Sequence, residues 1–120
     1  MHELSITQNI LTVVLEAAEK AGARRVTAIN LVIGDLTSIM DESVQFYFDF
    51  LSRETPAQGA QLNFKRESAQ ATCLDCGHEF EVGAPLMALC PACEGVRLRI
   101  TGGREFFIES IEVEDGDSGS

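Results

Sequence analysis

The sequence predicts an α+β fold: a small sheet covered by two helices, with a cysteine-bearing lobe inserted before the last strand. Three observations predict it. Apolar residues recur at helical spacing in two separate N-terminal segments and alternate at strand spacing elsewhere. All four cysteines fall within residues 69–101, a stretch poor in large apolar side chains. Beyond Gly102-Gly103 the alternating pattern returns, with no helix nearby in sequence to cover it.

The elements follow in order. Residues 5–21 read as a helix. Ser5-Ile6-Thr7-Gln8 has the form of a capping box, and Ile6, Ile10, Val13, Val14, Ala17 and Ala21 form the stripe, widened by Leu11 and Leu15. Gly22 is the expected stop. Residues 25–33 alternate as a strand, with Ile29, Leu31 and Ile33 on one face and Ala28, Asn30 and Val32 on the other. Gly34-Asp35 ends it. Asp41 or Ser43 caps a second helix, whose Val44, Tyr47, Phe48 and Leu51 recur at i, i+3, i+4 and i+7. Pro56 and Gly59 close it, and Leu62, Phe64 and Arg66 open another strand. Phe80-Glu81-Val82 and residues 96–100 read as hairpin strands. Gly102-Gly103 mark a hinge or turn, and residues 105–113, with Phe107, Ile111 and Val113, form a strand expected to rejoin the first sheet. The expected division is residues 1–68 plus 102–114 as one domain and 69–101 as the other. Residues 115–120 are expected to be a disordered acidic tail.

The formal net charge is −10, and no segment of the chain is net basic. That argues against binding a phosphate backbone. No apolar run approaches the roughly 20 residues that span a bilayer. The opening Met1-His2-Glu3 has no basic region before an apolar core, so a cytoplasmic protein without a signal peptide is expected.

Cys73-Leu74-Asp75-Cys76 and Cys90-Pro91-Ala92-Cys93 are separated by thirteen residues. Each CxxC turn presents two thiolates, so the pair supplies the four corners of a tetrahedron, the geometry Zn²⁺ takes with sulfur. Iron in a rubredoxin-like site obeys the same ligand grammar. Two disulfides are disfavoured in a reducing compartment. Redox catalysis needs only one such motif. Four protein ligands leave no position for water, which argues against hydrolysis at the metal. Gly77 follows the first motif where positive φ is often needed. His78 is an exposed residue of the turn or, alternatively, a spare ligand or a hydrogen-bond donor to a thiolate.

His2 is the other informative position. A bulky second residue protects the initiator Met from removal, so Met1 is expected to keep a free amine. That amine, the His2 backbone nitrogen, the His2 imidazole and the Glu3 backbone nitrogen can form a near-planar set of four nitrogens. Such sets suit Cu²⁺ and Ni²⁺.

Met1-His2-Glu3 opening a helical segment, Gly34-Asp35, Met40-Asp41, then CxxC and CPxC together resemble the HypA/HybF family of nickel metallochaperones over residues 1 to about 114. The resemblance implies an α/β nickel-binding lobe with a zinc-ribbon insertion. It implies Ni²⁺ as cargo at Met1, His2 and Glu3, with Asp41 as a weaker additional contact that serves equally well as a helix cap. It implies structural Zn²⁺ on Cys73, Cys76, Cys90 and Cys93. The implied partners are a HypB-type GTPase and the large subunit of [NiFe]-hydrogenase, with urease maturation served by some members. The acidic tail is outside the family pattern. The competing readings are a zinc-ribbon interaction or nucleic-acid module, which lacks a basic face, and a dithiol redox enzyme. With two histidines and no phosphate loop, no catalytic constellation is present.

Overall fold

In a computed structural model, residues 3–83 and 89–115 are described. Met1, His2 and residues 116–120 of the expected tail lie outside them. The elements run α1 (Glu3–Lys20), β1 (Ala23–Gly34), α2 (Asp41–Leu51), β2 (Gln61–Glu67), β3 (Ala69–Cys73), β4 (Glu79–Val82), β5 (Leu98–Thr101) and β6 (Phe106–Asp115). They build two three-stranded sheets, ordered β2-β1-β6 and β4-β3-β5. The chain divides into two compact units. The first holds residues 1–31, 39–64 and 108–120, the second residues 32–38 and 65–107.

In the first unit, Ile6, Ile10, Val14 and Ala18 are buried along α1 at strict four-residue spacing; α1 packs against α2, whose buried residues are Val44 and Phe48. The buried row is narrower than the periodicity suggests. Val13 is 51% exposed, and Ala17 and Ala21 also face outward. Thr7 is buried instead, its hydroxyl donating to the Glu3 carbonyl at 2.6 Å. Ser5 is not the cap. The helix already includes Glu3, whose charge suits its N-terminus, as Lys20 suits its C-terminus. Gly22 ends the helix at φ 67°.

β1 is the middle strand, hydrogen-bonded on both edges, and it is buried on both faces from Ala28 onward, apart from half-buried Asn30. Asn30 links its neighbours, accepting from the Asn63 amide at 2.8 Å and donating to the Ser110 hydroxyl at 3.0 Å. Thr27 donates to the Glu112 carbonyl at 3.1 Å. β6 therefore does return to the first sheet.

In the second unit, β3 pairs antiparallel with β4 and β5, setting Ala71 opposite both Phe80 and Ile100. Its core is small: Ala69, Ala71 and Val82, with Leu36, Phe80, Leu98 and Ile100 packed around them. The last hairpin strand begins at Leu98 rather than Val96, which is 71% exposed, and the Leu74 N–H to Arg97 carbonyl bond extends the β3–β5 register by one residue beyond it. Gly102-Gly103 is a packed turn. Gly103, at φ 81°, is buried, and its carbonyl accepts from Leu36 at 2.7 Å. A Cβ there would lie 2.6 Å from the Ala69 Cβ, and a Cβ on Gly34 would overlap the Gly103 carbonyl. Gly103→Ala adds left-handed strain to that clash. It should cost at least about 2 kcal/mol, read as a lower melting temperature of the second unit.

Candidate metal centres

The two CxxC turns repeat one geometry. In the first, the Gly77 N–H donates to the Cys73 carbonyl at 2.8 Å and the Cys73 N–H to the His78 carbonyl at 2.9 Å. In the second, the Glu94 N–H donates to the Cys90 carbonyl at 2.7 Å and the Cys90 N–H to the Gly95 carbonyl at 3.0 Å. The residue after each second cysteine has positive φ, 80° at Gly77 and 62° at Glu94. The first turn joins β3 to β4, so the sheet register fixes Cys73 and Cys76. The second is tied to it by the Leu74 N–H to Arg97 carbonyl bond, 2.8 Å, and by the Asp75–Arg97 ion pair, 3.2 Å.

The result is one cluster. The sulfurs of Cys73, Cys76, Cys90 and Cys93 all lie within 4.8 Å of one another. Cys73 and Cys93 are 3.6 Å apart, Cys76 and Cys90 3.5 Å. A tetrahedral zinc with bonds near 2.3 Å needs edges of about 3.8 Å, so the donor set has the right chemistry and size for such an ion. Cys73 and Cys90 are buried, Cys76 and Cys93 exposed. Gly95 keeps the cluster open. A Cβ there would lie 3.0 Å from an Asp75 oxygen and 3.2 Å from the Cys93 sulfur.

Crowding of the thiols spreads their acidities. For Cys90, burial raises the pKa. The N–H groups of Cys93 and Ala92 and the neighbouring Cys76 and Cys73 thiols outweigh it, bringing the value down to about 7. For Cys93, the Gly95 N–H favours the thiolate, but the Cys73 and Cys76 sulfurs dominate and push it up to about 12. Cys76 is also raised: the His78 N–H lowers it, and the Cys90 thiol and burial outweigh that bond. Four thiolates so close require a cation among them to ionise together at neutral pH. His78 lies outside the four-sulfur group. Its exposed ring stacks on Phe80, centroids 5.8 Å apart.

Of the residues expected to bind nickel, Met1 and His2 lie outside the described residues. A Glu3 carboxylate oxygen accepts from the Met40 N–H at 3.4 Å, and Asp41 is the next residue in the chain. Asp41 is not the helix cap, and neither is Ser43. Met40 holds that position in an extended conformation with no side-chain cap bond, and its carbonyl accepts from Ser43 and Val44. Asp41 is the first helical residue, half-buried. Sequence reasoning missed Glu94 and Gly95. Aligning the two turns on their cysteines would have placed Glu94 opposite Gly77.

The family model for HypA, described as hydrogenase/urease nickel incorporation metallochaperone, matches residues 1–113. The hydrogenase maturation factor HypA of Dehalococcoides mccartyi (strain ATCC BAA-2266 / KCTC 15142 / 195) is 47% identical over 120 residues, with all of both chains covered. That of Caldanaerobacter subterraneus subsp. tengcongensis is 49% identical over 115 residues, covering 95% of this chain and all of that one. A solution structure of HypA protein aligns with TM-score 0.67 and 25% identity, covering 94% of this chain and 96% of the other. The solution structure of the Ni metallochaperone HypA from Helicobacter pylori has the same fold, with TM-score 0.63 at 24% identity and coverage of 96% and 99%. With the four-cysteine cluster on an α+β scaffold, these similarities lead to one conclusion: the chain belongs to the HypA family of hydrogenase/urease nickel-incorporation metallochaperones.

Proposed function

We propose that this protein is a cytoplasmic nickel carrier, not an enzyme. In this reading it binds Ni²⁺ through Met1, His2 and Glu3 and delivers it for maturation of [NiFe]-hydrogenase, and of urease where that is the client. A HypB-type GTPase and the hydrogenase large subunit are its partners. The cysteine cluster holds a structural zinc. The domains that carry the two metals are residues 1–68 with 102–114, and residues 69–101.

The observation that carries the reading is the position of Glu3, at the first turn of α1, with its carboxylate at the Met40 N–H beside Asp41. Backbone N–H groups in the first turn of a helix have no intrahelical partner. The Glu3 nitrogen can therefore lose its proton to a metal without breaking a helical bond. Two deprotonated amide nitrogens also offset the ion's charge at the positive end of the helix dipole. Asp41 supplies a carboxylate within the same neighbourhood, as an additional contact for the ion. Metal analysis after nickel loading tests the reading. A single zinc and up to a single nickel are expected, the nickel lost on His2→Ala. Nickel retained by that variant overturns it.

Such a site should respond to acid with a defined sign. The free imidazole and α-amine titrate near about 6.5 and 7.7–8.0. Bound metal pushes both downward, so the complex is fully formed above these values and protons compete as pH falls. Nickel affinity should drop about tenfold per pH unit for each proton displaced. Calorimetry in buffers of different ionisation enthalpy should show protons released on binding.

A further inference from the structure

The α2 helix carries two phenylalanines on its outer surface, Phe46 at 69% exposure and Phe50 at 59%. They differ in surroundings. The Arg53 guanidinium covers the Phe50 ring at 5.2 Å. Phe46 meets only the edge of Tyr47 among ring contacts of the described residues, with centroids 5.5 Å apart. Beside Phe46 runs an open groove between α2 and β2, of about 430 Å³. Phe46, Leu62 and Phe64 give it an apolar floor. Asp41, Glu42 and Asp49 give it acidic walls, and among the described residues no basic one lines it.

We infer that this groove docks a partner protein through an amphipathic segment whose apolar side chains are flanked by Lys or Arg. Charge selects this occupant. A second copy of this chain, at net charge −10, would bring like charge to carboxylate walls. Apolar anchors from a partner would cover Phe46, Leu62 and Phe64, while its cations face Asp41, Glu42 and Asp49. An exposed aromatic beside an apolar floor and a charged rim has the anatomy of an interaction hot spot. Position gives the groove its use. It begins at Asp41, next to the Glu3 carboxylate at Met40, so an occupant would lie at the proposed nickel ligands. In this respect the inference rests on the nickel-carrier reading.

The test uses the full chain, amide chemical-shift mapping and two designed helical peptides, one of Leu and Lys, the other of Leu and Glu. The Leu/Lys peptide should bind saturably and shift the amides of residues 41–49 and 62–64, with affinity falling as salt rises. The Leu/Glu peptide should not bind. Phe46→Ala should weaken the Leu/Lys peptide about tenfold. Asp49→Lys should weaken it and flatten the salt dependence. Phe107→Ala, at an exposed ring outside the groove, should change nothing. Shifts dispersed over other acidic surfaces, or unchanged affinity with Phe46→Ala, overturn the inference. So does a Phe46-dependent dimer in sedimentation, which would assign the groove to a second copy. Nickel uptake by the same samples keeps the two readings separate. A wild-type protein that takes up no nickel fails the carrier reading alone, and the peptide result judges the groove.

Discussion

Placing one or two residues ahead of Met1 should abolish tight nickel binding while leaving the fold and the zinc intact. The reason is geometric. An amine and an imidazole chelate one ion when a single peptide unit separates them, as it does between Met1 and His2. An extension converts that amine into an amide nitrogen, which holds its proton far more tightly. The ion must then displace that proton or lose one of four donors. His2→Ala removes the imidazole and should have a similar effect. Groups that merely support a metal ligand are worth about 10–100-fold in affinity, so losing a ligand should cost at least about a hundredfold. Glu3→Gln separates two roles. It preserves the backbone nitrogen but weakens the carboxylate that accepts from Met40 at 3.4 Å, so a small effect assigns binding to the nitrogen. Ni²⁺ in a planar four-nitrogen field gives a yellow absorption band that octahedral Ni²⁺ lacks. The extended protein should lose that band. An unchanged spectrum and affinity would exclude the amine as a ligand.

Where the sequence pattern reported burial directly, it located the elements. Val44, Tyr47, Phe48 and Leu51 mark the inward side of α2. The late alternation from Phe107 located β6 as a strand without reporting burial, since Phe107 is 48% exposed and Val113 36%. The four cysteines are legible because metal geometry imposes a spacing that survives any loop sequence. What escaped was carried by small residues or by the backbone. β3 reads Ala69-Gln70-Ala71-Thr72-Cys73, without a large strand former, yet Ala69 and Ala71 are fully buried because the sheet and Gly103 leave no room for more. The caps at Ser5 and Asp41 failed for another reason. Each residue type is a good cap, but the chain enters both helices earlier, through Glu3 and Met40. Glu94 in the left-handed region has no signature of its own, since only the repeat of the first turn demands that backbone.

Removing one thiolate should unfold the second unit and spare the first. The β3-β4-β5 sheet of that unit is centred on a cluster of small buried apolar side chains, Ala69, Ala71 and Val82, too little to offset the entropy of ordering its strands. Metal binding is then folding energy: four-ligand zinc sites in small peptides contribute about 10–16 kcal/mol at neutral pH. Cys76→Ser is the cleanest variant. Cys76 is exposed, so the change removes a donor and no buried packing. Cys73→Ala removes a donor and a side chain only 1% exposed. Both variants should lose zinc. Both should also lose amide protection across β3, β4 and β5, while α1 and α2 keep theirs. A strong chelator should reproduce the pattern in the unchanged protein. Acid should do so as well, because thiolates held ionised by the metal stabilise the fold above the pH at which protons displace it, and that stability is lost as pH falls. If only Cys73→Ala unfolds the unit and Cys76→Ser does not, buried packing rather than metal ligation holds it together. If the unchanged protein keeps its protection with four freely titrating thiols, the cluster holds no zinc.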